Sequence, residues 1–194
     1  MNGWIDAAAG ASGDMFLGAL IDAGAPVETI QAAIDTLPVE PIRLEVSATE
    51  RHALGATKVD VIAPHSHHHR HWSDICGMLE AADLEPEVAR IALDAFARLA
   101  RAEAAVHRTS VEDVHFHEVG ALDAIADIVG TAAGVVALGL TDLTTSTVTV
   151  GSGMSRGEHG RIPIPAPAVL QLLAEAGAPL ERIQAAIDTL PVEP

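Results

Sequence analysis

Two histidine-rich segments contain the residues of this chain that are best suited to chemistry. Seven of the ten histidines lie in segments 65–71 and 114–123. Imidazole binds first-row transition metals and also changes its charge near neutral pH. The spacing therefore predicts a site for a cation, or for an anion beside the arginine of the first segment.

The second segment is the more informative. If it is a strand, His115 and His117 point to the same face and Glu118 to the opposite one. Asp123 and Asp127 are four residues apart in a predicted helix, so their carboxylates share a face near its start. Imidazole with carboxylate suits Zn, Ni, Co or Fe, and ligand type alone does not choose among them. The alternative is hydrogen-bonded histidines in a turn, with the aspartates as helix-end charges; we favour metal binding or catalysis.

The first segment is less decisive. His67 and His69 belong to a nearly continuous histidine run that is internal to the chain. Such a run is equally consistent with a ligand loop and with a solvated linker. Arg70 would suit a phosphate or a carboxylate, because its planar guanidinium binds these groups through two hydrogen bonds.

A glycine-rich turn near the start of the chain predicts an anion site. It spans residues 10–14, between a predicted strand at 4–7 and a predicted helix at 15–23. Backbone N–H groups of Ser12 and Gly13 would face an anion at the positive end of the helix dipole. Asp6 and Asp14 flank the turn and predict either an accompanying cation or, for Asp14, helix capping. The turn lacks the Gly-Lys-Ser/Thr ending of a P-loop.

Composition excludes several classes of function. A net charge of -16 over 194 residues disfavours nucleic-acid binding, which needs basic surface. The single cysteine, Cys76, cannot form an intrachain disulfide and fits a reducing compartment. The longest apolar run, at 132–140, is far shorter than the roughly 20 residues of a membrane span. We therefore expect a cytoplasmic protein without a secretory signal or membrane segment.

Hydrophobic periodicity predicts an α/β or α+β fold, with a mixed sheet that includes an antiparallel hairpin and is covered by amphipathic helices. The hairpin is expected around residues 42–61, where apolar and polar residues alternate. Residues 144–150 are rich in β-formers, and 151–160 is expected to be a flexible loop that carries His159. Helices are predicted at 15–23, 27–37, 72–82, 86–107, 122–138 and 168–176.

The end of the chain repeats an earlier segment. Residues 176–194 match residues 23–41 at 17 of 19 positions, with differences only at Val27 against Leu180 and Thr29 against Arg182. Repeat arrays need several periodic copies, so this is not a solenoid. A recent duplication or a gene artefact explains it better. We expect one domain over residues 1–175, followed by a helical extension.

The motifs together resemble the N-terminal half of the nickel insertion proteins of the lactate racemase maturation system, the LarC family. The resemblance covers roughly residues 2–175, and its motifs occur in the family's order. They lie at residues 6–20, 67–71, 102–107, 114–127 and 159–168.

This resemblance implies a CTP-dependent nickel chelatase of the lyase class. Family members insert nickel into pyridinium-3,5-bisthiocarboxylic acid mononucleotide, which becomes the nickel-pincer cofactor of lactate racemase. A full-length member would continue into a second domain for CTP and its divalent cation, where this chain has the duplicated segment. The isolated chain is therefore expected to handle nickel and precursor without using the nucleotide.

Under this interpretation the candidate residues take three roles. The expected metal ligands are His115, His117 and Asp123, with His67, His69 and His159 as further candidates. Glu118 and Asp14 are the catalytic candidates, with Glu118 as a base or as an orienting group. Ser12 and Gly13, or Arg70, would hold the phosphate of the mononucleotide.

Two other functions remain open at this stage. A nickel carrier without catalysis would use the same histidines, and only turnover with added precursor separates it from a chelatase. A metal-dependent phosphohydrolase would use Asp6 and Asp14, but no two-metal carboxylate framework is evident. The expected partners are the precursor and lactate racemase or a related apo-enzyme, and a homo-oligomer is also considered.

Overall fold

The structure is a computed structural model that describes residues 1–51, 53–64, 70–116, 119–157 and 160–178. Helices and short strands are mixed along the chain, as predicted. The helices are α1 (Gly13–Asp22), α2 (Val27–Asp35), α3 (Trp72–Ala81), α4 (Pro86–His107), α5 (Leu122–Ala137) and α6 (Pro167–Glu175). The strands are β1 (Asn2–Ile5), β2 (Arg43–Arg51), β3 (Leu54–Ile62), β4 (Arg70–His71), β5 (His115–Phe116), β6 (Asp142–Thr145), β7 (Met154–Gly157) and β8 (Gly160–Pro163).

Helix α5 is the centre of the core, because its sequence is apolar on almost every side. It packs against α1, α2 and α4. Two glycines allow this close approach: an added Cβ on Gly130 would lie 3.0 Å from Leu17 Cδ2, and one on Gly134 would lie 2.9 Å from Leu20 Cδ1. Aliphatic side chains fill the core, as the composition predicts.

Helix α4 matches its sequence prediction from end to end. Its apolar stripe recurs with the helical period, and Val88, Ala92 and Phe96 are buried. Pro86 occupies the first turn, where the missing N–H costs nothing. His107 is the last helical residue, and Arg108 ends the helix with a left-handed backbone (φ 53°).

The strands form four two-stranded ladders in the described part of the chain. The β2–β3 hairpin is antiparallel over nine pairs and contacts α1 through β3. Strands β4 and β5 pair antiparallel, and so do β7 and β8. Strand β1 pairs in parallel with β6, which joins the start of the chain to the segment that follows α5. Both parallel and antiparallel pairs are thus present, but in separate ladders.

Three local boundaries differ from the sequence predictions. The first strand lies at Asn2–Ile5 rather than 4–7, and β6 covers Asp142–Thr145 where 144–150 was expected. The prediction of a loop over 151–160 is wrong in part, because β7 lies inside this range and pairs with β8, with Met154 opposite Pro163. Short strands take their bounds from their partners, which local periodicity does not reveal. Among the described residues, no helix is both long and apolar enough to cross a membrane.

Candidate metal centre

The fold brings the end of the first histidine segment against the start of the second. Strands β4 and β5 are antiparallel, with Arg70 opposite Phe116 and His71 opposite His115. The two imidazoles lie on the same face, with ring centroids 3.7 Å apart and planes tilted by 50°. The pairing continues beyond the strands, because the Trp72 N–H donates to the Val114 carbonyl at 3.1 Å. Segments 44 residues apart in the sequence therefore share one site.

Buried contacts on the opposite side hold this ladder in place. Phe116 is 2% exposed, and its ring centroid is 6.3 Å from that of Phe96 in α4. The Arg70 guanidinium donates to the carbonyl of Gly120. An added Cβ on Gly120 would lie 2.7 Å from the Phe116 carbonyl oxygen and 3.2 Å from the Arg70 backbone nitrogen. The close approach of these backbones requires glycine at this position.

Helix α3 fixes the other end of β4. His71 is the N-cap residue of α3 and forms a reciprocal capping arrangement with Asp74. The His71 backbone N–H donates to the Asp74 carboxylate at 2.9 Å. This satisfies a donor that the helix itself leaves unpaired. The imidazole is thus at the junction of a strand pair and a helix start.

A second cluster of polar side chains lies at the predicted glycine-rich turn, where α1 begins. Ser12 is the N-cap residue of α1, and its hydroxyl donates to the Asp14 carboxylate. Asp127 of α5 presses against the turn: an added Cβ on Gly13 would overlap its carboxylate and lie 2.6 Å from its Cβ. The Asp127 Oδ1 atom is buried and has no hydrogen-bond partner among the residues that the structure describes.

The electrostatics of this turn favour a proton or a cation. Burial, followed by the charges of Asp14 and Asp123, raises the pKa of Asp127 from 3.8 to about 6. Asp123 lies in the first turn of α5 and accepts the Ala124 N–H at 2.8 Å, as a helix-end charge does. The carboxylates of Asp14 and Asp127 at the α1 N-terminus oppose a phosphate there unless a cation balances them.

The described part of the chain contains some of the predicted site residues but not all. Ser12, Gly13 and Asp14 form the turn, Asp123 starts α5, and Arg70 and His115 lie in the β4–β5 ladder. The predicted roles of five other residues fall outside the described residues: His67, His69, His117, Glu118 and His159. Within the described residues, no group of three or more His, Cys, Asp or Glu side chains forms a metal-binding cluster.

Two residues gain importance from the structure. His71 was part of the histidine run but was not selected as a ligand, and Asp127 was noted only as the neighbour of Asp123. The signal for His71 was its position two residues after His69, on the same face of a strand if the run is extended. Nothing in the sequence identified His115 as its cross-strand neighbour.

The family model and the curated relatives that match this chain point to the same protein family. The model of the family described as "Nickel insertion protein" matches residues 4–190. A pyridinium-3,5-bisthiocarboxylic acid mononucleotide nickel insertion protein of Nocardioides is 54% identical over 88% of this chain and 43% of its own length. A protein of the same name from Desulfitobacterium hafniense is 41% identical over 91% and 44%.

A putative nickel insertion protein of Thermomicrobium roseum is 46% identical over 91% of this chain and 44% of its own length. The chain therefore spans less than half the length of these curated relatives. No solved structure matches the chain.

Proposed function

Because the chain belongs to the nickel insertion protein family, we propose that it is the nickel- and precursor-binding part of a nickel chelatase. The precursor is the pyridinium-3,5-bisthiocarboxylic acid mononucleotide named for its relatives. One structural observation supports this most directly: strands β4 and β5 join the two histidine segments at a single place. Imidazole is a good ligand for nickel, and the imidazoles of His71 and His115 lie next to each other here.

The ligand chemistry suits a metal that is delivered rather than kept. Nitrogen and oxygen ligands hold nickel less firmly than thiolate-type sulfur does, so a precursor with two sulfur donors can take the metal from them. His115 and Asp123 are the described members of the proposed ligand set, which also includes His117, His67, His69 and His159. Nickel is therefore a substrate in this proposal.

A base is needed because insertion forms a bond from nickel to a ring carbon. The carbon loses its proton as that bond forms, while nickel keeps its charge of +2 and exchanges its protein ligands for two sulfurs and the carbon. Glu118 is our candidate for accepting this proton, or for orienting a histidine ligand.

Two places are proposed for the mononucleotide phosphate. Arg70 has one donor occupied by the Gly120 carbonyl, and a guanidinium has four more. The Ser12–Gly13 turn lies beside Asp14 and Asp127, so a phosphate there would require a bridging cation. We therefore propose a cation-binding role for Asp14 in preference to proton transfer, and Arg70 as the direct phosphate ligand.

The complete reaction extends beyond this chain in our proposal. CTP use with a divalent cation, and assignment to the lyase class, would belong to the part of the relatives that this chain does not match. The finished cofactor would pass to lactate racemase or a related apo-enzyme in the cytoplasm. The present chain would bind nickel and precursor.

Metal analysis and precursor titration test this function. The protein is purified without nickel-affinity resin, loaded with nickel and titrated with precursor while product absorbance is followed. We expect one nickel per chain and transfer of nickel to the precursor. Stoichiometric binding without transfer, even with the missing half supplied, would identify a carrier instead of a chelatase.

Histidine-to-alanine variants of the two segments test which histidines bind nickel. Replacing His115 and His117 with Ala is expected to abolish stoichiometric nickel binding, because strand β5 already holds His115 in place and a preorganised ligand loses less entropy on binding. Replacing His67, His68 and His69 is expected to weaken binding less. The reverse order in calorimetry would move the main ligands to the first segment.

A further inference from the structure

Tertiary structure places one more histidine at the metal centre. His71 is directly opposite His115 in the β4–β5 ladder, and the ring centroids are 3.7 Å apart. We infer that His71 and His115 form a two-imidazole chelate for a divalent first-row cation. This inference rests on the proposed function, since nickel is the cation that the pair would hold.

The position of the two side chains is favourable for a shared ion. Directly opposite residues of an antiparallel pair project from the same face, with Cβ atoms about 4.5–5.5 Å apart. Metal-to-imidazole bonds are about 2.0–2.1 Å long. Rotation of the two rings about their side-chain bonds is enough to turn one nitrogen of each toward the same ion. The backbone does not need to move.

The two rings are accessible, and no ion pair with a described residue occupies them. His71 is half-buried and His115 is exposed, so an ion can reach both rings. Among the described residues, neither ring has a carboxylate within ion-pair distance. The metal would therefore not have to displace a salt bridge.

One local contact competes with the metal. A neutral imidazole has a single lone pair. The His71 lone pair that caps the Asp74 backbone in α3 cannot bind a metal at the same time. Metal binding exchanges this capping contact for the ion, and the other ring nitrogen remains a hydrogen-bond donor. The backbone bond from His71 N–H to the Asp74 carboxylate does not involve the ring and stays in place.

The ladder is preorganised by contacts that do not involve the imidazoles. Phe116 is anchored on Phe96, and Arg70 is bonded to the Gly120 carbonyl. A ligand pair fixed in this way loses little conformational freedom when the metal binds. Two protein nitrogens also leave further coordination positions open for the sulfur donors of the precursor. The pair therefore fits a transfer site better than a closed structural site.

Calorimetric titration of nickel into the full chain, purified without nickel resin, tests this inference. The variants are His71→Ala, His71→Phe, His115→Ala and the double variant His71→Ala/His115→Ala. His107→Ala is the matched control, because this histidine lies at the end of α4, next to Glu103 and outside the ladder. Melting temperatures without metal verify that each variant is folded.

We expect each change at His71 or His115 to lower nickel affinity about tenfold or more, which is about 1.4 kcal/mol or more. The loss in the double variant should be smaller than the sum of the single losses, since the two rings share one ion. His107→Ala should bind as the unmodified chain does. His71→Phe keeps a ring against His115 but has no lone pair, so it should bind as poorly as His71→Ala.

Three outcomes would overturn the inference in distinguishable ways. If the unmodified chain binds no nickel, the proposed function and the inference both fail. If it binds nickel and His71→Ala binds equally well, only the inference fails and the ligands lie elsewhere. If His71→Phe restores the binding that His71→Ala loses, His71 positions His115 by stacking and is not a ligand. Should His71→Ala fail to fold, the comparison of His71→Phe with the unmodified chain decides.

Discussion

Asp127 is a partly buried carboxyl with a raised pKa. Its Oδ1 has no hydrogen-bond partner among the described residues, and burial together with Asp14 and Asp123 raises its pKa to about 6. The native state therefore binds this proton more tightly than the unfolded chain, whose carboxyl titrates near 3.8. Stability from this group is present below about pH 4 and is lost as the pH rises through about 6.

Asp127→Asn should remove the free-energy cost of keeping a charged carboxylate at this partly buried position. At pH 7.5 we expect the variant to be more stable by on the order of 1 kcal/mol, discounted for partial exposure, or about 2–4 °C in melting temperature. The difference from the unmodified chain should shrink toward pH 4, where the native carboxyl is neutral. Thermal melts at several pH values without metal measure it. A difference that does not change with pH would mean that Asp127 ionises normally.

Gly13 is needed because the Asp127 carboxyl packs against its α-carbon. Gly13→Ala would place a Cβ 2.6 Å from Asp127 Cβ, so we expect a loss of about 1–3 kcal/mol from overpacking. Gly77→Ala is the control, since this exposed glycine lies inside α3 and an added Cβ meets nothing within 4 Å. There the same change should stabilise by about 0.5–1 kcal/mol. Urea unfolding of both variants checks these opposite signs.

At the scale of elements, the short β4–β5 ladder is positioned by what packs behind it. Two residues per strand supply little pairing energy by themselves. Phe116 against Phe96, together with the close passage of Gly120, fixes the ladder on α4. The geometry of the proposed metal centre therefore depends on residues outside the proposed ligand set.

Gly120→Ala tests this dependence. The new Cβ would lie 2.7 Å from the Phe116 carbonyl oxygen, so the ladder must shift. We expect nickel affinity to fall several-fold to tenfold while every ligand remains. Gly77→Ala again serves as the control, and calorimetry is the measurement. Unchanged affinity in a folded Gly120→Ala variant would show that the metal centre does not depend on this ladder.

At the scale of the molecule, the repeated segment has the side chains that α2 uses in the core. Ile30, Ile34 and Leu37 are buried, and Gln31 bonds the Ile42 carbonyl and the Leu44 N–H, each at 2.8 Å. All four are identical in residues 176–194, as Ile183, Gln184, Ile187 and Leu190. The two differences between the copies fall at Val27, which is half-buried, and at Thr29, which is exposed. The second copy thus has the sequence to compete for the place of α2.

Deletion of residues 179–194 should change oligomeric state or melting temperature and leave nickel stoichiometry unchanged. Ile183→Asp/Ile187→Asp in the full chain is a matched variant and should act as the deletion does, since it removes the apolar side chains of the copy. Light scattering and metal analysis are the measurements. Loss of nickel in the truncated protein, with its circular dichroism intact, would assign the segment to the metal site.

The sequence by itself determined the long helices and the chemical character of the site. Helix α4 was predicted with its final bounds because its apolar period, Pro86 and His107 are all local signals. The concentration of histidine and the family motifs likewise depend only on residue order. The comparisons confirm the family, and the ligand assignments stay predictions.

Only the tertiary structure decided which residues meet. The pairing of His71 with His115 and the packing of Asp127 on Gly13 join residues from distant parts of the chain, which periodicity does not register. The short strands were misplaced for the same reason, since β6 is defined by its pairing with β1. Local sequence sets helix formation through contacts within a few residues, whereas a strand or a metal centre depends on partners that the folded core supplies.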